Sequence, residues 1–561
     1  MKVLILGGYG VFVGRLARLL IADGVQVVIA GRDHGKASAF ARNHGGEPLA
    51  IDIGKDLAPI AAAAPGLVVD AAGPFQAYGS DPYRVARFCL RHGINYADLS
   101  DDAEFTAGIV ALDRDALAAG CFALSGASSV PAISAAAVMA LSEGLSGILL
   151  IETAILPGNR APRGRSVMAS ILRQAGAPLM IWRGGAWREH RGWTDARKVA
   201  LAPGLKRWAN LIGAPDLKLF PAAFKARSVL FRAGLELGVM HWGLTLLAHL
   251  RAVRLVPGLQ SLLGPMLWLA RRLERFGGDQ GGMAVAVVGT RAGKAVRREW
   301  RVIANDGDGP FIPAIPTVAI TQKMPAIAPG ARPCLGDLTL SEIESAMTRL
   351  SVRFATFEEP APAFFEKILG PAWKKLPVSI RRSHSVQDIE SFSGRATVTR
   401  GTGLLARLAA WFFRFPQAGE NVPLTITKRR TARGEIWERN FAGGKFRSYL
   451  TASRRPSHYN ERFFAFIYEQ ELPVIDGSLY LPVRRGWFMG IPLPKALLPR
   501  SESREYDVDG AFHFDVGLYA PMNGGLIVRY QGQVSPDSES APEGRLRSQS
   551  MAPALTRRYQ A

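Results

Sequence analysis

An apolar run from Val3 to Leu6 passes directly into Gly7-Gly8-Tyr9-Gly10 and then Val11, Phe12, Val13 and Gly14, and no other stretch of the chain restricts the fold as tightly. The run reads as a strand, the glycines as a turn and the residues after them as a helix start. Arg15 to Ala22 carries Leu16, Ala17, Leu19, Leu20 and Ile21 at helical spacing and stops at Asp23-Gly24, before a second apolar run from Val25 to Ala30. Strand, glycine turn, helix and strand within about thirty residues make the βαβ unit that binds dinucleotides. Glycine is needed there because a pyrophosphate must approach backbone N–H groups at a helix N-terminus, where a Cβ would intervene. Gly8 and Gly10 take the first two fingerprint positions. The third falls on Val13, with Gly14 one residue late, so the close helix-to-strand contact either accommodates a valine or shifts by one residue. Gly7, Gly8, Tyr9, Gly10, Val11 and Phe12 are therefore the candidates for the pyrophosphate turn.

The end of the second strand bears on which dinucleotide. An NAD site places an acidic side chain there for the ribose 2′-hydroxyl, whereas Ala30-Gly31 leads into Arg32-Asp33, with Lys36 one turn on. Arg32 beside a 2′-phosphate makes a charge-assisted pair worth about 1.5–3 kcal/mol. NADP is favoured over NAD on that ground, although Asp33 is able to serve NAD.

At 561 residues the chain exceeds one core, so two or three domains are expected. Cys89, Cys121 and Cys334 are far apart, which fits a reducing compartment and argues against a disulfide framework or a cysteine-based zinc site. The nine histidines show neither HExxH nor HxxxH spacing, and no metal is expected. Met1-Lys2 runs straight into the first strand, leaving no room for a signal peptide, so the expected location is cytoplasmic. Residues 1–150 hold 11 basic against 14 acidic residues, a net of −3, so the remainder carries +25 of the total +22. A basic remainder suits an anionic lipid surface or an acidic substrate. No nucleic-acid motif accompanies it, so no nucleic-acid partner is expected.

Strand and helix alternate to about residue 150. Leu49–Ile53 is a third strand, with Asp52 at the adenine side. Leu57–Ala64 is helical, and Leu67–Ala72 is a fourth strand leading into Gly73-Pro74-Phe75. Asp81–His92 is a helix, Ile94–Leu99 a strand, Ala107–Ala119 a helix, and Cys121–Leu124 a sixth strand before the helix Ala132–Leu141. Six such repeats make a doubly wound parallel sheet, whose ligands bind at the carboxyl ends of the strands. Ala72, Gly73, Pro74 and Phe75 therefore join the cofactor candidates. Asp98, Ser100, Ser125, Ser128 and Ser129 also sit at strand ends where a proton could be transferred, and the sequence does not choose among them.

Five short motifs now stand together: Leu4-Ile5-Leu6-Gly7-Gly8-Tyr9-Gly10, Ala30-Gly31-Arg32, Asp70-Ala71-Ala72-Gly73-Pro74-Phe75, Tyr96-Ala97-Asp98-Leu99-Ser100 and Gly126-Ala127-Ser128-Ser129-Val130-Pro131. In order and spacing they resemble the saccharopine dehydrogenase-like NADP-binding oxidoreductases over roughly residues 1–350. The resemblance implies NADP-linked hydride transfer and leaves the substrate open; relatives include saccharopine reductases, lipid-associated oxidoreductases and trans-acting enoyl reductases. Val13, where that family usually has glycine, is the one departure. Short-chain dehydrogenase chemistry is a poor fit, because it sets a lysine one helical turn after a tyrosine and none of the twelve tyrosines has a lysine four residues on.

From Ile148 to Leu156 an apolar strand leads into Pro157-Gly158-Asn159-Arg160-Ala161-Pro162-Arg163-Gly164-Arg165 and a helix from Ser166 to Gln174. Asn159, Arg160 and Arg163 are candidates for holding a carboxylate or phosphate of the substrate. The apolar segment Ala226–Phe276 is too interrupted for a membrane span, and its Arg251, Arg254, Arg271, Arg272 and Arg275 suit a peripheral amphipathic helix, a pocket lining or the interface of a homodimer. Residues 283–304 alternate as a hairpin, with helices at Ile312–Gln322 and Ser341–Leu350. Glu358-Glu359-Pro360-Ala361-Pro362 reads as a linker. Beyond it the pattern turns to strand alternation, with helices at Ala363–Lys375 and Gly403–Phe413, and Phe463–Glu471 reads as one strand. This part resembles an uncharacterised bacterial domain fused to the same oxidoreductase half. Its Trp411, Phe412, Phe413, Phe463, Phe464, Phe466 and Trp487 are expected in core and hairpin packing.

The sequence thus predicts an α/β N-terminal Rossmann-type doubly wound sheet at 1–147, an α+β substrate-side domain with apolar helices at 148–357, a mostly antiparallel β domain at 363–534, and a disordered tail at 535–561. The expected activity is that of an NADP-dependent oxidoreductase acting on a small-molecule or lipid-linked substrate. A non-catalytic NADP-binding sensor or scaffold, and a peripheral membrane protein acting on lipid-linked enoyl or carbonyl compounds, are the alternatives.

Overall fold

Residues 1–10, 13–75, 78–162, 164–442, 444–522 and 524–537 are described by a computed structural model. The chain divides into two compact units, the first formed by 1–182, 187–291 and 297–359, the second by 183–186, 292–296 and residues from 360 onward.

In the first unit the N-terminal repeats give β1 (Lys2–Leu6), α1 (Val13–Ala22), β2 (Gln26–Gly31), α2 (His34–His44), β3 (Glu47–Ala50), α3 (Ala58–Ala62), β4 (Leu67–Asp70), α4 (Arg84–Arg91), β5 (Asn95–Asp98), α5 (Ala103–Gly108), α6 (Asp113–Ala118), β6 (Phe122–Ser125) and α7 (Ser134–Ser142). The strands pair in parallel. Their order, β6-β5-β4-β1-β2-β3, reverses direction between β1 and β4. That reversal is where a doubly wound sheet opens its ligand crevice. Residues 3–6 of β1 and all of β4 are buried, as a sheet covered on both faces requires.

Two departures from the sequence expectation have local causes. The single helix expected at Ala107–Ala119 is broken, because Asp102 caps a helix at Ala103, accepting from the Glu104 and Phe105 N–H groups at 3.1 and 2.9 Å, and a second helix starts at Asp113. The sheet also has a seventh strand, Gly330–Pro333, parallel to β6 and drawn from far along the chain. Four residues ending in proline carry no strand periodicity, so residues 1–147 do not account for the whole N-terminal sheet.

The first unit's other sheet is mixed, in the order 194–202, 205–211, 229–233, 147–156, 281–291, 294–304 and 352–360. Glu358-Glu359-Pro360, expected as a linker, ends the edge strand Val352–Pro360, and Glu358 pairs with Arg291 and Arg298 at 2.8 Å. Charge on an edge strand deters further pairing, and it also hides the strand from a hydropathy pattern.

The second unit is a 13-stranded antiparallel sheet. The helices Phe364–Leu369, Val378–His384 and Leu404–Phe412 accompany it. Residues 478–488 tie its two ends together. Leu479 and Tyr480 pair with Glu505 and Arg504, while 483–488 pairs with 466–470. The expected strand Phe463–Glu471 is a hairpin of His458–Phe463 and Phe466–Glu471, turned at Phe464 with φ +49°. The last strand, Leu526–Pro536, includes Ser535 and Pro536, which the sequence places in the tail; residues 538–561 lie outside the described residues.

Glycines mark close approaches between neighbouring strands of this sheet. A Cβ on Gly394 would lie 1.9 Å from the Gln533 carbonyl oxygen, and one on Gly532 would lie 2.1 Å from that of Arg395. Gly394→Ala is expected to destabilise the protein by about 1–3 kcal/mol, read as a lowered midpoint in thermal unfolding. An unchanged midpoint would mean that the two strands separate freely there.

Candidate functional site: the strand ends of the N-terminal sheet

The turn after β1 is fixed by backbone groups. The Gly7 and Gly8 N–H groups both donate to the Ala30 carbonyl oxygen, at 2.9 and 3.1 Å, and the Gly10 N–H donates to Gly7 at 2.8 Å. Gly7 has φ +76°, and a Cβ there would lie 3.0 Å from Ala71 O and Ala72 Cα. A Cβ on Gly8 would lie 2.9 Å from Ile29 Cγ2. The glycines therefore let the turn pass between β2 and the segment after β4. Val13 is buried, and the close helix contact falls one residue later, on Gly14, whose Cβ would meet the Phe40 ring of α2 at 2.9 Å. The departure at Val13 thus displaces the contact without opening the turn. Val11 and Phe12 lie outside the described residues.

At the end of β2 the Tyr9 ring packs against Gly31, where a Cβ would come within 2.5 Å of it, and the Tyr9 hydroxyl accepts from the Asp33 N–H at 3.2 Å. Nothing in the sequence pattern singles out this pair, and Gly31 at a strand end is its one visible mark. Asp33 caps α2, accepting from the Lys36 N–H at 3.0 Å, with the Lys36 ammonium at 3.5 Å. The amide hydrogen bond from Lys36 holds the Asp33 carboxyl below its ordinary value. Arg32 is exposed beside them, and no ion pair among the described residues engages it. Asp52 is half-buried and shapes its own turn, accepting from the Gly54 N–H at 3.0 Å.

Two carboxyls are fully buried at the ends of β4 and β5, directly across from one another in register. Asp70 Oδ1 accepts from the Tyr78 hydroxyl at 2.9 Å and the Ala72 N–H at 3.1 Å. Burial raises its pKa to about 6. Asp98 Oδ1 accepts from the Ser100 N–H at 3.0 Å, the Ser125 hydroxyl at 2.9 Å and the Gly126 N–H at 2.8 Å, whereas Oδ2 has no partner. Burial raises this carboxyl to about 7. Of the five strand-end candidates, the fold brings Asp98 and Ser125 into contact and gives Ser100 to the Asp102 turn, its hydroxyl accepting from the Asp102 N–H at 3.2 Å. Ala72 is anchored on Asp70, Gly73-Pro74 comes next, and Phe75 is buried against Tyr78 and Phe105, with ring centroids at 5.3 and 4.9 Å. A third buried carboxyl, Asp216, is flanked by the Ser134 and Thr153 hydroxyls and raised to about 7 by burial. It opens the helix Pro215–Phe224, and the sequence alone does not reveal it because no motif surrounds it.

The loop after Gly147–Leu156 separates its candidates. Asn159 is buried; its side-chain amide donates to Leu273 O at 2.7 Å and its N–H to Glu236 at 2.6 Å. Glu236 in turn pairs with Arg207 at 2.9 Å. Asn159 therefore locks the loop to residues 273–278 and is not placed to meet a substrate. Arg160 is exposed, and Arg163 lies outside the described residues.

The apolar segment forms the helices Gly238–Ala252 and Leu263–Leu273, and no described helix is long and apolar enough to cross a membrane. Val239, Trp242 and Leu246 are exposed along one stripe of the first helix, and Trp268 and Leu269 are exposed on the second.

Residues 376–534 match a family described as "Domain of unknown function (DUF4166)". No curated protein matches the chain. Among solved structures, it is similar to apo saccharopine dehydrogenase (L-Glu forming) from Saccharomyces cerevisiae, at 14% identity over 64% of this chain and 99% of that one, with a TM-score of 0.47. A probable dehydrogenase from Thermotoga maritima matches at 9% identity over 62% and 93% of the two chains, TM-score 0.31. The WlbA dehydrogenase from Chromobactrium violaceum, in complex with NADH and UDP-GlcNAcA, matches at 10% identity over 53% and 74%, TM-score 0.26.

Because the folded-state pKa of Asp98 is raised from 3.8 to about 7, the folded chain holds this proton more tightly than the unfolded one. The associated stability is fully present below the unfolded value and is lost as pH rises through about 7. Asp98→Asn keeps an acceptor oxygen and removes the ionisation. It is expected to be more stable than the parent by about 1–3 kcal/mol at pH 8 and nearly equal to it at pH 4, measured by denaturant unfolding. A gap that is the same at both pH values would show that Asp98 does not titrate in this range.

Proposed function

We propose that the N-terminal unit is a nicotinamide-dinucleotide-dependent oxidoreductase, with NADP its cofactor, and that Asp98 handles the proton of the reaction. The observation that carries this reading is that the glycine turn at Gly7–Gly10 and the buried, unpartnered Asp98 Oδ2 both lie at carboxyl ends of strands in one parallel sheet, on either side of its reversal between β1 and β4. The residues present suit the cofactor. Gly7 and Gly8 let the turn lie close against β2 and the segment after β4, which brings backbone to the start of α1, where a pyrophosphate would sit. Asp33 is already committed to the α2 cap and Lys36, which lessens its fitness for a ribose diol, while Arg32 stands exposed for a 2′-phosphate. Asp52 and the 72–75 segment would border the adenine and nicotinamide sides.

A bound nicotinamide dinucleotide supplies a hydride donor or acceptor, and alignment with its partner is most of what that transfer needs. The chain's own contribution is the proton. Three donors on Asp98 Oδ1 favour charge on that oxygen and leave the proton to Oδ2, where a carbonyl, imine or enoyl group that gains a hydride would collect it. A carboxyl held near 7 is poised to give or take a proton at neutral pH. Arg160, and Arg163 by its place in sequence, remain our candidates for an anionic group on the substrate. A sensor or scaffold role would leave tight NADP binding without turnover on any such compound.

The exposed stripe of Val239, Trp242 and Leu246, followed in sequence by the exposed Arg254, Arg271 and Arg272, favours a second reading that complements the first. Apolar side chains backed by arginines are what a helix lying in an anionic lipid surface presents. On this reading the protein acts peripherally on lipid-linked substrates.

Titration with NADPH and NADH, followed by cofactor fluorescence, tests the first reading. NADPH is expected to bind at least about tenfold more tightly, the equivalent of about 1.4 kcal/mol, and Arg32→Ala to remove that preference. Absence of binding by either nucleotide at sub-millimolar concentration would reject it. For the second, the protein is expected to co-sediment with phosphatidylserine-containing vesicles in low salt and to be released in high salt, and Trp242→Asp with Leu246→Asp to abolish sedimentation. If the same double variant instead splits a homodimer in solution and leaves sedimentation unchanged, the stripe is a subunit interface.

A further inference from the structure

The second unit encloses a cavity of about 300 Å³ for which the N-terminal reading has no use. Protein cores rarely leave voids larger than a single water, whereas ligand pockets begin at about this volume. The strands build it by simple alternation, since every second residue points inward. The side chains they send inward are graded along the strand axis. On 419–430 and 434–441 the register pairs Leu424 with Phe441, Ile426 with Arg439, and Lys428 with Trp437. On 458–463 and 466–471 it pairs Phe463 with Phe466, Glu461 with Tyr468, and Tyr459 with Gln470. All twelve line the cavity. One end is therefore hydrocarbon and the other is polar.

The polar end is preorganised. The buried Lys428 ammonium donates to the Ser383 carbonyl and hydroxyl oxygens, both at 2.8 Å, and sits 4.2 Å from the Trp437 ring centroid. Its third proton has no oxygen acceptor among the described residues. Gln470 donates to Glu461 at 2.6 Å and accepts from the Tyr459 hydroxyl at 2.9 Å. The lining contains two cations, Lys428 and Arg439, and two carboxylates, Glu461 and Glu505. A guest bearing a net charge would unbalance that set in a site with little water to screen it.

The apolar end opens beside Ala409 and Phe413 of the helix Leu404–Phe412 and the residue after it, and beside Phe466. An exposed apolar collar continues from there. Trp411 is 78% exposed, Phe464 66% and Met489 74%, and the Phe412 ring centroid lies 5.6 Å from Phe464 and 6.3 Å from Phe466. The sequence pattern places these aromatics in core and hairpin packing. The structure instead divides them between the cavity wall and the surface around its mouth.

We propose that this cavity binds a neutral, single-chain amphiphile of about ten heavy atoms, its hydroxyl or carbonyl oxygen at Lys428 and its hydrocarbon chain running out past Phe413 and Phe466. The size follows from the volume, since a water occupies about 30 Å³ in the liquid and a methylene is of similar bulk. The neutral headgroup follows from the balanced charges, and the orientation from the grading of the walls.

Displacement of 1-naphthol, a neutral fluorescent dye of about the guest's size, from the full-length protein tests the assignment, with 1-decanol, 2-decanone, undecane, decanoate and decylamine as competitors below their solubility limits. The alcohol and the ketone are expected to displace the dye at concentrations at least tenfold lower than undecane, decanoate or decylamine. Ala409→Trp, which fills the mouth, is expected to weaken 1-decanol at least tenfold while circular dichroism stays unchanged. Failure of 1-decanol and 2-decanone to displace the dye overturns the proposal. So does decanoate or decylamine competing as well as the alcohol, or a folded Ala409→Trp protein with undiminished binding. The comparison among competitors uses the unaltered chain, so it decides the matter even where the variant does not fold, and it is independent of nucleotide binding.

Discussion

One carbonyl oxygen, that of Ala30, accepts hydrogen bonds from two successive N–H groups, Gly7 and Gly8, and the architecture of the strand ends in the N-terminal sheet hangs on that contact. It holds the end of β1 against β2, where a Cβ on Gly8 would meet Ile29, while Gly7, at φ +76°, lies against Ala71 and Ala72 after β4. Reversal of the chain into α1, the packing of α1 on α2 through Gly14 and Phe40, and the seat of Tyr9 over Gly31 all depend on it. A valine at position 13 is buried without crowding α2 in this setting, because the tight contact lies at the next residue.

A sheet covered on both faces also dictates the electrostatics of its own edge. Asp70 and Asp98 end adjacent parallel strands and are fully buried, so both are disfavoured as anions. Their surroundings nevertheless differ. Asp70 is tied to Tyr78, Ala72 and, more distantly, Tyr96, while Asp98 concentrates three donors on one oxygen and leaves the other without a partner. The same desolvation thus acts on one carboxyl whose donors are spread over both oxygens and on another with an oxygen left over, the feature on which the proposed proton transfer rests.

The second unit solves the problem of buried charge in the opposite way. Its inward polar groups are paired, Arg439 with Glu461 of another strand and His384 of the helix Val378–His384 with Glu505, and are set among aromatic rings. Such pairs add little net stability compared with well-packed apolar residues. Their presence around an open volume is more economically explained by recognition than by folding. The hydrocarbon mouth and its exposed collar give that recognition a direction.

The N-terminal repeats were legible in the sequence because parallel strands buried on both faces read as unbroken apolar runs, and because a turn this tight between strand and helix has so few sequence solutions. Gly7 to Gly10, the position of Arg32, the Gly73-Pro74-Phe75 turn and the β-rich character of the C-terminal part were all visible in this way. The strand at Gly330–Pro333 was not, since four residues without periodicity become a strand only when β6 offers them an edge. Asn159 looked like a ligand for substrate because its neighbours are basic, yet a carbonyl more than a hundred residues away takes its amide. The burial of Asp98 with one oxygen unpartnered, the commitment of Asp33 to a helix cap and the cavity of the second unit were likewise decided by tertiary structure. Local pattern fixes which backbone forms strand, turn or helix, because those preferences act over a few residues. Desolvation, orphaned hydrogen-bonding atoms and enclosed volume depend on which distant segments the fold brings together, and no single stretch of the chain encodes them.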